Sequence, residues 1–163
     1  MSKEKRLVPE LRFPEFDGEW SRTLLHERMT FFNGKGHEKV VDEEGTYFLV
    51  NSKFVSTNGK IYKRTNHQIC PLFKDDIVIV MSDLPNGKAL GKVYYIKENN
   101  LYTLNQRIGG LRAKLDDPIF LAYQLNRNSY FLRFDDGVNQ TNLRKVEINN
   151  TPAINNYNLI TTS

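Results

Sequence analysis

Two glycine-containing segments carry the side chains best suited to recognition chemistry. In residues 101–113, Asn105, Gln106 and Arg107 come shortly before a pair of glycines. Residues 137–148 begin Gly-Val-Asn-Gln-Thr-Asn-Leu. Amide and guanidinium groups can read the edges of bases or hold phosphates. Polar loops of this kind also occur in proteins that bind no nucleic acid, so the rest of the chain must decide between the two interpretations.

Basic residues are concentrated in two windows that contain no aspartate or glutamate. The net charge is only +4, but residues 45–74 hold five basic side chains and residues 99–115 hold three more. Such a distribution favours a positive surface on one side of the protein, as binding to a polyanion requires. A solubilising face is the alternative.

The sequence contains no recognisable catalytic centre. One cysteine and three scattered histidines do not provide the ligand spacing of a zinc site. None of the Gly-Lys pairs precedes the serine or threonine that a phosphate-binding loop uses. The chain also lacks the Asp-x-Lys or Glu-x-Lys pattern of common metal-dependent nucleases. The acid pairs Asp75-Asp76 and Asp135-Asp136 are interpreted as turn or cap residues. We therefore expect a protein that is not an enzyme and holds no metal.

Length and composition favour one folded domain in the cytoplasm. The chain has 163 residues, of which 39% are hydrophobic, so it can bury a substantial core. No apolar run approaches the roughly 18 residues of a membrane span, and the N-terminus lacks an apolar export core. Cys70 lies in an apolar run, and we expect it to be buried rather than reactive.

Local patterns predict an α+β fold with a mixed, mostly antiparallel twisted sheet, a protruding hairpin and a few short helices. β-branched and aromatic runs predict strands at residues 45–50, 77–81 and 92–96, with 77–81 central. Asn58-Gly59 predicts a basic β-hairpin of residues 53–57 and 60–64. Asp117 and Pro118 predict the start of a core helix through Asn126, whose apolar stripe is Ile119, Phe120, Tyr123 and Leu125.

The ends of the chain are predicted to be less regular. Charge and proline in residues 1–17 predict an extended arm, followed by the domain at residues 18–152. Val146 and Ile148 are assigned to a last short strand. The asparagine-rich residues 153–163 are predicted to fray.

The order of motifs resembles the specificity subunits of type I restriction-modification systems. Residues 9–20, Pro-Glu-Leu-Arg-Phe-Pro-Glu-Phe-Asp-Gly-Glu-Trp, are similar to the opening of that family. An acid-led apolar strand, a Leu-Asn-Gln-Arg segment and a Gly-x-x-Gln-x-Asn-Leu segment then follow in the family's order. The resemblance covers residues 9–152, and its specific parts are the arm and the two segments described first.

This resemblance implies a target recognition domain that reads half of a bipartite site in double-stranded DNA. In that family the subunit is not catalytic and directs methyltransferase and endonuclease subunits, which we expect as partners. S-adenosylmethionine, ATP and magnesium would belong to those subunits, so no cofactor is expected here. A homodimer is also possible, and no membrane association is expected.

The end of the chain departs from the family pattern. After Thr151-Pro152 the family continues with Pro-Pro and Glu-Gln into a long helix, whereas this chain reads Ala-Ile-Asn-Asn. We therefore expect a truncated product, a half-subunit or a fragment. The alternative function is an interaction remnant that associates with a methyltransferase or another specificity fragment without binding DNA alone.

The candidate DNA-binding residues form two groups. Those expected to hold phosphates on the hairpin are Lys53, Lys60, Lys63 and Arg64. Those expected to contact base edges or the nearby backbone are Lys88, Asn105, Gln106, Arg107, Asn139, Gln140 and Asn142. Asn105 and Gln106 could equally cap strand ends.

Overall fold

The computed structural model describes residues 21–155, which form eleven strands and five short helices. The strands are β1 Ser21–Leu24, β2 Met29–Asn33, β3 Tyr47–Val50, β4 Lys63–Thr65, β5 Ile77–Val80, β6 Ser82–Asp83, β7 Val93–Tyr95, β8 Tyr102–Leu104, β9 Ile108–Ala113, β10 Thr141–Asn142 and β11 Pro152–Asn155. The helices are α1 Leu25–Arg28, α2 Ser52–Ser56, α3 Pro118–Leu125, α4 Ser129–Leu132 and α5 Lys145–Asn149.

A four-stranded antiparallel sheet, in the order β2-β9-β5-β7, lies at the centre of the fold. All four residues of β5 are fully buried, because its alternating side chains enter two different cores. Ile77 and Ile79 pack with α3 and α4, whereas Val78 and Val80 pack with α2. The prediction of a central apolar strand at this position is confirmed.

A second sheet, in the order β4-β3-β8, covers the α2 side of the central one. β3 pairs with β4 in antiparallel and with β8 in parallel orientation, the latter through Val50 and Leu104. Two further antiparallel ribbons join β1 to β11 and β6 to β10. The predicted α+β class with mostly antiparallel strands is therefore confirmed.

The predicted hairpin at residues 53–64 is wrong, because its first arm is the helix α2. Asn51 caps this helix by accepting a hydrogen bond from the Phe54 N–H, at 2.9 Å. Phe54 and Val55, adjacent in sequence, are both buried, which a half-exposed strand does not allow. Asn58 and Gly59 do take positive φ, but they end the helix: the Gly59 N–H donates to the Phe54 carbonyl.

The α3 prediction is confirmed in its bounds and wrong in its apolar face. Asp117 accepts hydrogen bonds from two N–H groups of the first turn, and Pro118 opens the helix. The buried face is Leu121, Ala122 and Leu125. Ile119 and Tyr123, which we assigned to the core, are exposed.

The C-terminal predictions also need correction. Val146 and Ile148 lie in the helix α5 rather than in a strand, and a hydrogen bond from the Arg144 N–H to Glu147 closes its first turn. Pro152–Asn155 forms β11 instead of fraying, and Ala153 is buried. The N-terminal arm, Trp20 and residues 156–163 lie outside the described residues, so the domain boundaries stay predictions.

Candidate nucleic-acid interface

Strand direction brings several loops to one end of the central sheet. β2 and β5 finish at this end, whereas β9 begins there, since Val80 pairs with Ile108 and Asn33 with Gly109. The residues that connect strands at this end are 34–37, 81–92 and 105–107, and we call them together the loop end. Both polar segments singled out from the sequence have residues at or against it.

The turn of residues 105–107 is tightly packed against its neighbours. The Asn105 N–H donates to the Val50 carbonyl at 3.0 Å, which places the turn beside the start of α2. Arg107 adopts a positive φ of 67° and is exposed, as is Gln106, which donates a hydrogen bond to Glu38. The side-chain oxygen of Asn105 is buried and has no hydrogen-bond partner among the described residues.

Loop 34–37 packs directly against this turn, and a buried histidine at its end stabilises it through hydrogen bonds. His37 Nδ1–H donates to the Lys35 carbonyl at 2.6 Å, and Nε2 is hydrogen-bonded to the Thr103 hydroxyl at 2.8 Å. Thr103 in turn accepts from the Cys70 N–H. His37 is thus a packing residue, and Cys70 is buried as expected.

The loop that carries Lys88 is organised around one carboxylate. Asp83 Oδ2 accepts from the Ala89 N–H at 2.8 Å and the Leu90 N–H at 3.1 Å, so residues 84–90 wrap around it. A Cβ on Gly87 would lie 2.0 Å from the Asp83 carboxylate, which explains the glycine there. Lys88 is exposed on this fixed loop. Sequence reasoning missed the role of Asp83.

The second polar segment docks against the same loop. Asp135 accepts from the Asn86 N–H at 3.0 Å, and β10 pairs with β6 through Asn142 and Ser82. The structure therefore groups four predicted residues at one part of the loop end and on the segment docked against it. They are Lys88, Asn139, Gln140 and Asn142, all exposed.

The acid pair at Asp135 and Asp136 does serve turn chemistry, and Asp136 gives a pH prediction. The N–H and side-chain amide of Asn139, with the Val138 N–H, lower the pKa of Asp136 to about 2. Because this pKa lies below the ordinary value of about 4, the turn is stabilised fully above about pH 4. We expect that stabilisation to disappear as the pH falls through 2.

An NMR titration of the Asp136 carboxyl group measures this pKa directly. A value of about 4 would contradict the hydrogen-bonded turn. The variant Asp136→Asn serves as the control, since it keeps the side-chain acceptor for the backbone N–H groups but does not titrate.

Asp76 and Arg112 have a different role from the one predicted. Asp76 is buried rather than a simple turn residue, and it binds the Arg112 guanidinium through two hydrogen bonds of 2.8 Å. The guanidinium also lies over the rings of Phe32 and Phe73. Arg112 therefore contributes less free positive charge than its acid-free window suggests.

The basic residues assigned to the hairpin divide into two kinds. Lys53, Lys60 and Lys63 are exposed, and Lys53 lies in α2 next to the loop end. Arg64 is half-buried, and its guanidinium lies 5.0 Å from the ring centre of Phe48. It borders an open cleft of about 420 Å³ with Val41, Glu43, Tyr62 and Lys63.

Within residues 21–155, no group of three or more histidine, cysteine, aspartate or glutamate side chains is placed to hold a metal ion. No helix in that range is long and apolar enough to cross a membrane.

Comparison with known proteins finds similarity in structure but not in sequence. No protein-family model matches the chain, and no curated protein matches its sequence. The S subunit of a type I restriction-modification system from M. genitalium aligns with a TM-score of 0.67 and 19% identity over 91% of this chain. A chain from a structural study of type I R-M complex assembly and conformational transition aligns with a TM-score of 0.65 and 13% identity over 91% of this chain. The HsdS subunit of Thermoanaerobacter tengcongensis aligns with a TM-score of 0.58 and 13% identity over 90% of this chain.

These alignments cover 37%, 36% and 35% of the respective longer chains, so the present chain spans a little over a third of their length. At this level of identity the likeness concerns the fold. The order of motifs read from the sequence and the alignment of the three-dimensional structure point to the same proteins. The chain has the fold of part of a type I restriction-modification specificity subunit, and the predicted resemblance is confirmed at that level.

Proposed function

We propose that this chain is a non-catalytic target recognition domain that binds double-stranded DNA and directs a type I restriction-modification enzyme to half of a bipartite site. The observation that carries the proposal is the loop end, where exposed amide and cationic side chains from separate parts of the sequence stand together. Methyltransferase and endonuclease subunits are the proposed protein partners. The methyltransferase would supply S-adenosylmethionine chemistry outside this chain.

The charges at the loop end support a polyanionic ligand. Lys35, Lys88 and Arg107 are exposed there, and Lys53 is exposed beside it in α2. Asp83, by contrast, directs its carboxylate to backbone N–H groups of its own loop. Lysine and arginine side chains that neutralise phosphates supply the sequence-independent part of DNA affinity, while amides on a fixed backbone supply base discrimination. The loop end offers both kinds of group.

Selection from a random pool of duplex DNA tests the proposal. The chain is used alone and with the methyltransferase subunits, and bound DNA is sequenced after several rounds. We expect one short sequence to be enriched in at least one of the two arms. Absence of enrichment in both arms contradicts DNA recognition, and sizing chromatography then tests the alternative of a protein-interaction remnant.

Salt dependence separates phosphate contacts from base contacts among the lysines. Each phosphate neutralised contributes about 0.9 to the slope of log K against log salt concentration. We expect Lys60→Ala and Lys63→Ala each to reduce this slope by about 0.9 if the residue holds a phosphate. Lys114→Ala is the matched control, because Lys114 bonds to the His26 carbonyl at the opposite end of β9. Unchanged slopes would contradict the phosphate role of both lysines.

A further inference from the structure

Gln140, Ser82 and Asn142 form a continuous chain of hydrogen bonds on the outer face of the β6–β10 ribbon. Asn142 stands directly opposite Ser82 in the antiparallel register. Gln140 lies on the same face, since the intervening Thr141 points inward and is buried. Gln140 Nε2 donates to Ser82 Oγ at 2.8 Å, and Ser82 Oγ–H donates to Asn142 Oδ1 at 2.7 Å.

Because Ser82 has a single hydroxyl proton, it accepts from one amide and donates to the other, so the two amides have opposite polarity. Gln140 uses a donor towards Ser82, so its Oε1 acceptor stays available. Asn142 uses its acceptor, so its Nδ2 donors stay available. Neither available group has a hydrogen-bond partner within residues 21–155, and both side chains are exposed. The ribbon therefore presents one acceptor and one donor side by side.

We propose that this pair reads an adenine in the major groove, an inference that rests on the proposed function. Adenine offers a donor at N6 and an acceptor at N7, which match Gln140 Oε1 and Asn142 Nδ2 respectively. Guanine offers two acceptors there, cytosine a donor, and thymine an acceptor with a methyl group. Among the four bases only adenine complements both groups. The major groove also admits a two-stranded antiparallel ribbon.

Ser82 is the positioning residue of this reader and makes no contact with the base itself. Its hydrogen bonds hold two flexible side chains in one arrangement before DNA arrives, so less rotamer entropy is lost on binding. The next residue, Asp83, fixes the loop that follows β6. Asn86 and Asp135 join that loop to the segment leading into β10. The reader is therefore supported on both strands.

The experiment uses the full chain and the DNA sequence enriched by wild-type protein. Each A·T pair of that sequence is replaced in turn by G·C, by a pair with 7-deazaadenine, and by a pair whose purine lacks the 6-amino group. At one position we expect the G·C replacement to weaken wild-type binding by about 5- to 150-fold. Both analogues weaken binding at that position too, because each removes one of the two hydrogen bonds.

Two variants connect the effect to the side chains. In Ser82→Ala and in Asn142→Leu, we expect the penalties at that one A·T pair to disappear while penalties at the other positions remain. Asn150→Leu is the control, because Asn150 is an exposed amide at the end of α5 and lies outside the candidate DNA-binding residues. Circular dichroism establishes that each variant is folded, and Asn142→Asp offers a second, polar replacement that lacks the donor.

The possible outcomes separate this inference from the proposed function. If the variants keep the wild-type preference at every position, the adenine reader is refuted and DNA recognition stands. If wild-type binding tolerates 7-deazaadenine and the 6-deaminated purine at every position, the reader is refuted as well. If wild-type protein enriches no sequence with or without methyltransferase, the proposed function fails and the inference fails with it.

Discussion

Replacing Arg112 by methionine is expected to lower the free energy of unfolding by about 3 kcal/mol. Asp76 is 1% exposed and relies on Arg112 for two hydrogen bonds, with a third donated by the Phe73 N–H. Removing one partner of a buried ion pair leaves the other charge uncompensated, which costs about 3–5 kcal/mol. The Arg112 side chain is 49% exposed, so water partly replaces it and the effect lies at the low end of that range.

Urea denaturation of purified wild-type and variant protein measures this effect. Methionine keeps an unbranched side chain between the rings of Phe32 and Phe73, so the comparison isolates the lost charge and hydrogen bonds. Arg107→Met is the control, because Arg107 is exposed at the loop end. For the control we expect the free energy of unfolding to fall by less than about 0.5 kcal/mol. Equal small effects in both variants would show that the Asp76–Arg112 pair contributes little.

The ion pair also shows why the charge pattern of the sequence was an incomplete guide to the surface. Arg112 belongs to an acid-free window, yet its partner Asp76 lies 36 positions earlier. Only the pairing of β5 with β9 brings the two together, through Ile77 and Leu111. Sequence windows report local charge, whereas ion pairs across a sheet depend on register.

Local signals were reliable where the physical cause is itself local. The apolar run of β5 and the Asp117 cap of α3 each depend on a few adjacent residues, and both were predicted correctly. Asn58-Gly59 was read correctly as a turn but assigned to the wrong element. Asn-Gly supplies positive φ both in hairpins and at the ends of helices, so the burial of Phe54 and Val55 decided the outcome.

The sequence predicted which types of residue form the candidate site, but it did not predict how those residues are arranged in space. Asn139, Gln140 and Asn142 were chosen for their amides, but nothing local indicates that Ser82, 58 and 60 positions away, binds two of them. Asp83 was missed for a related reason. A carboxylate that accepts several backbone N–H groups of a loop has no distinctive sequence pattern.

Replacing Gly34 by alanine is expected to disturb the loop end more than any exposed side-chain substitution there. A Cβ on Gly34 would lie 1.8 Å from the Asn105 carbonyl oxygen, which belongs to backbone and cannot rotate away. The Asn105 N–H is bonded to Val50, so the turn cannot shift without breaking that bond. We expect a loss of about 2–3 kcal/mol in unfolding free energy, as in other overpacked sites. Specific DNA affinity is expected to fall about tenfold, or about 1.4 kcal/mol.

Gly36→Ala provides the matched control two residues away. Its Cβ would meet only the Glu38 carboxylate, at 2.7 Å, and that flexible side chain can move aside. Neither glycine has the positive φ that would penalise alanine for backbone strain, so the two variants differ in what surrounds the added methyl group. Urea denaturation and DNA titration are measured for both. If Gly34→Ala matched Gly36→Ala in stability and affinity, loop 34–37 would be free to move relative to the turn at Asn105. The close packing of the loop end would then have no part in recognition.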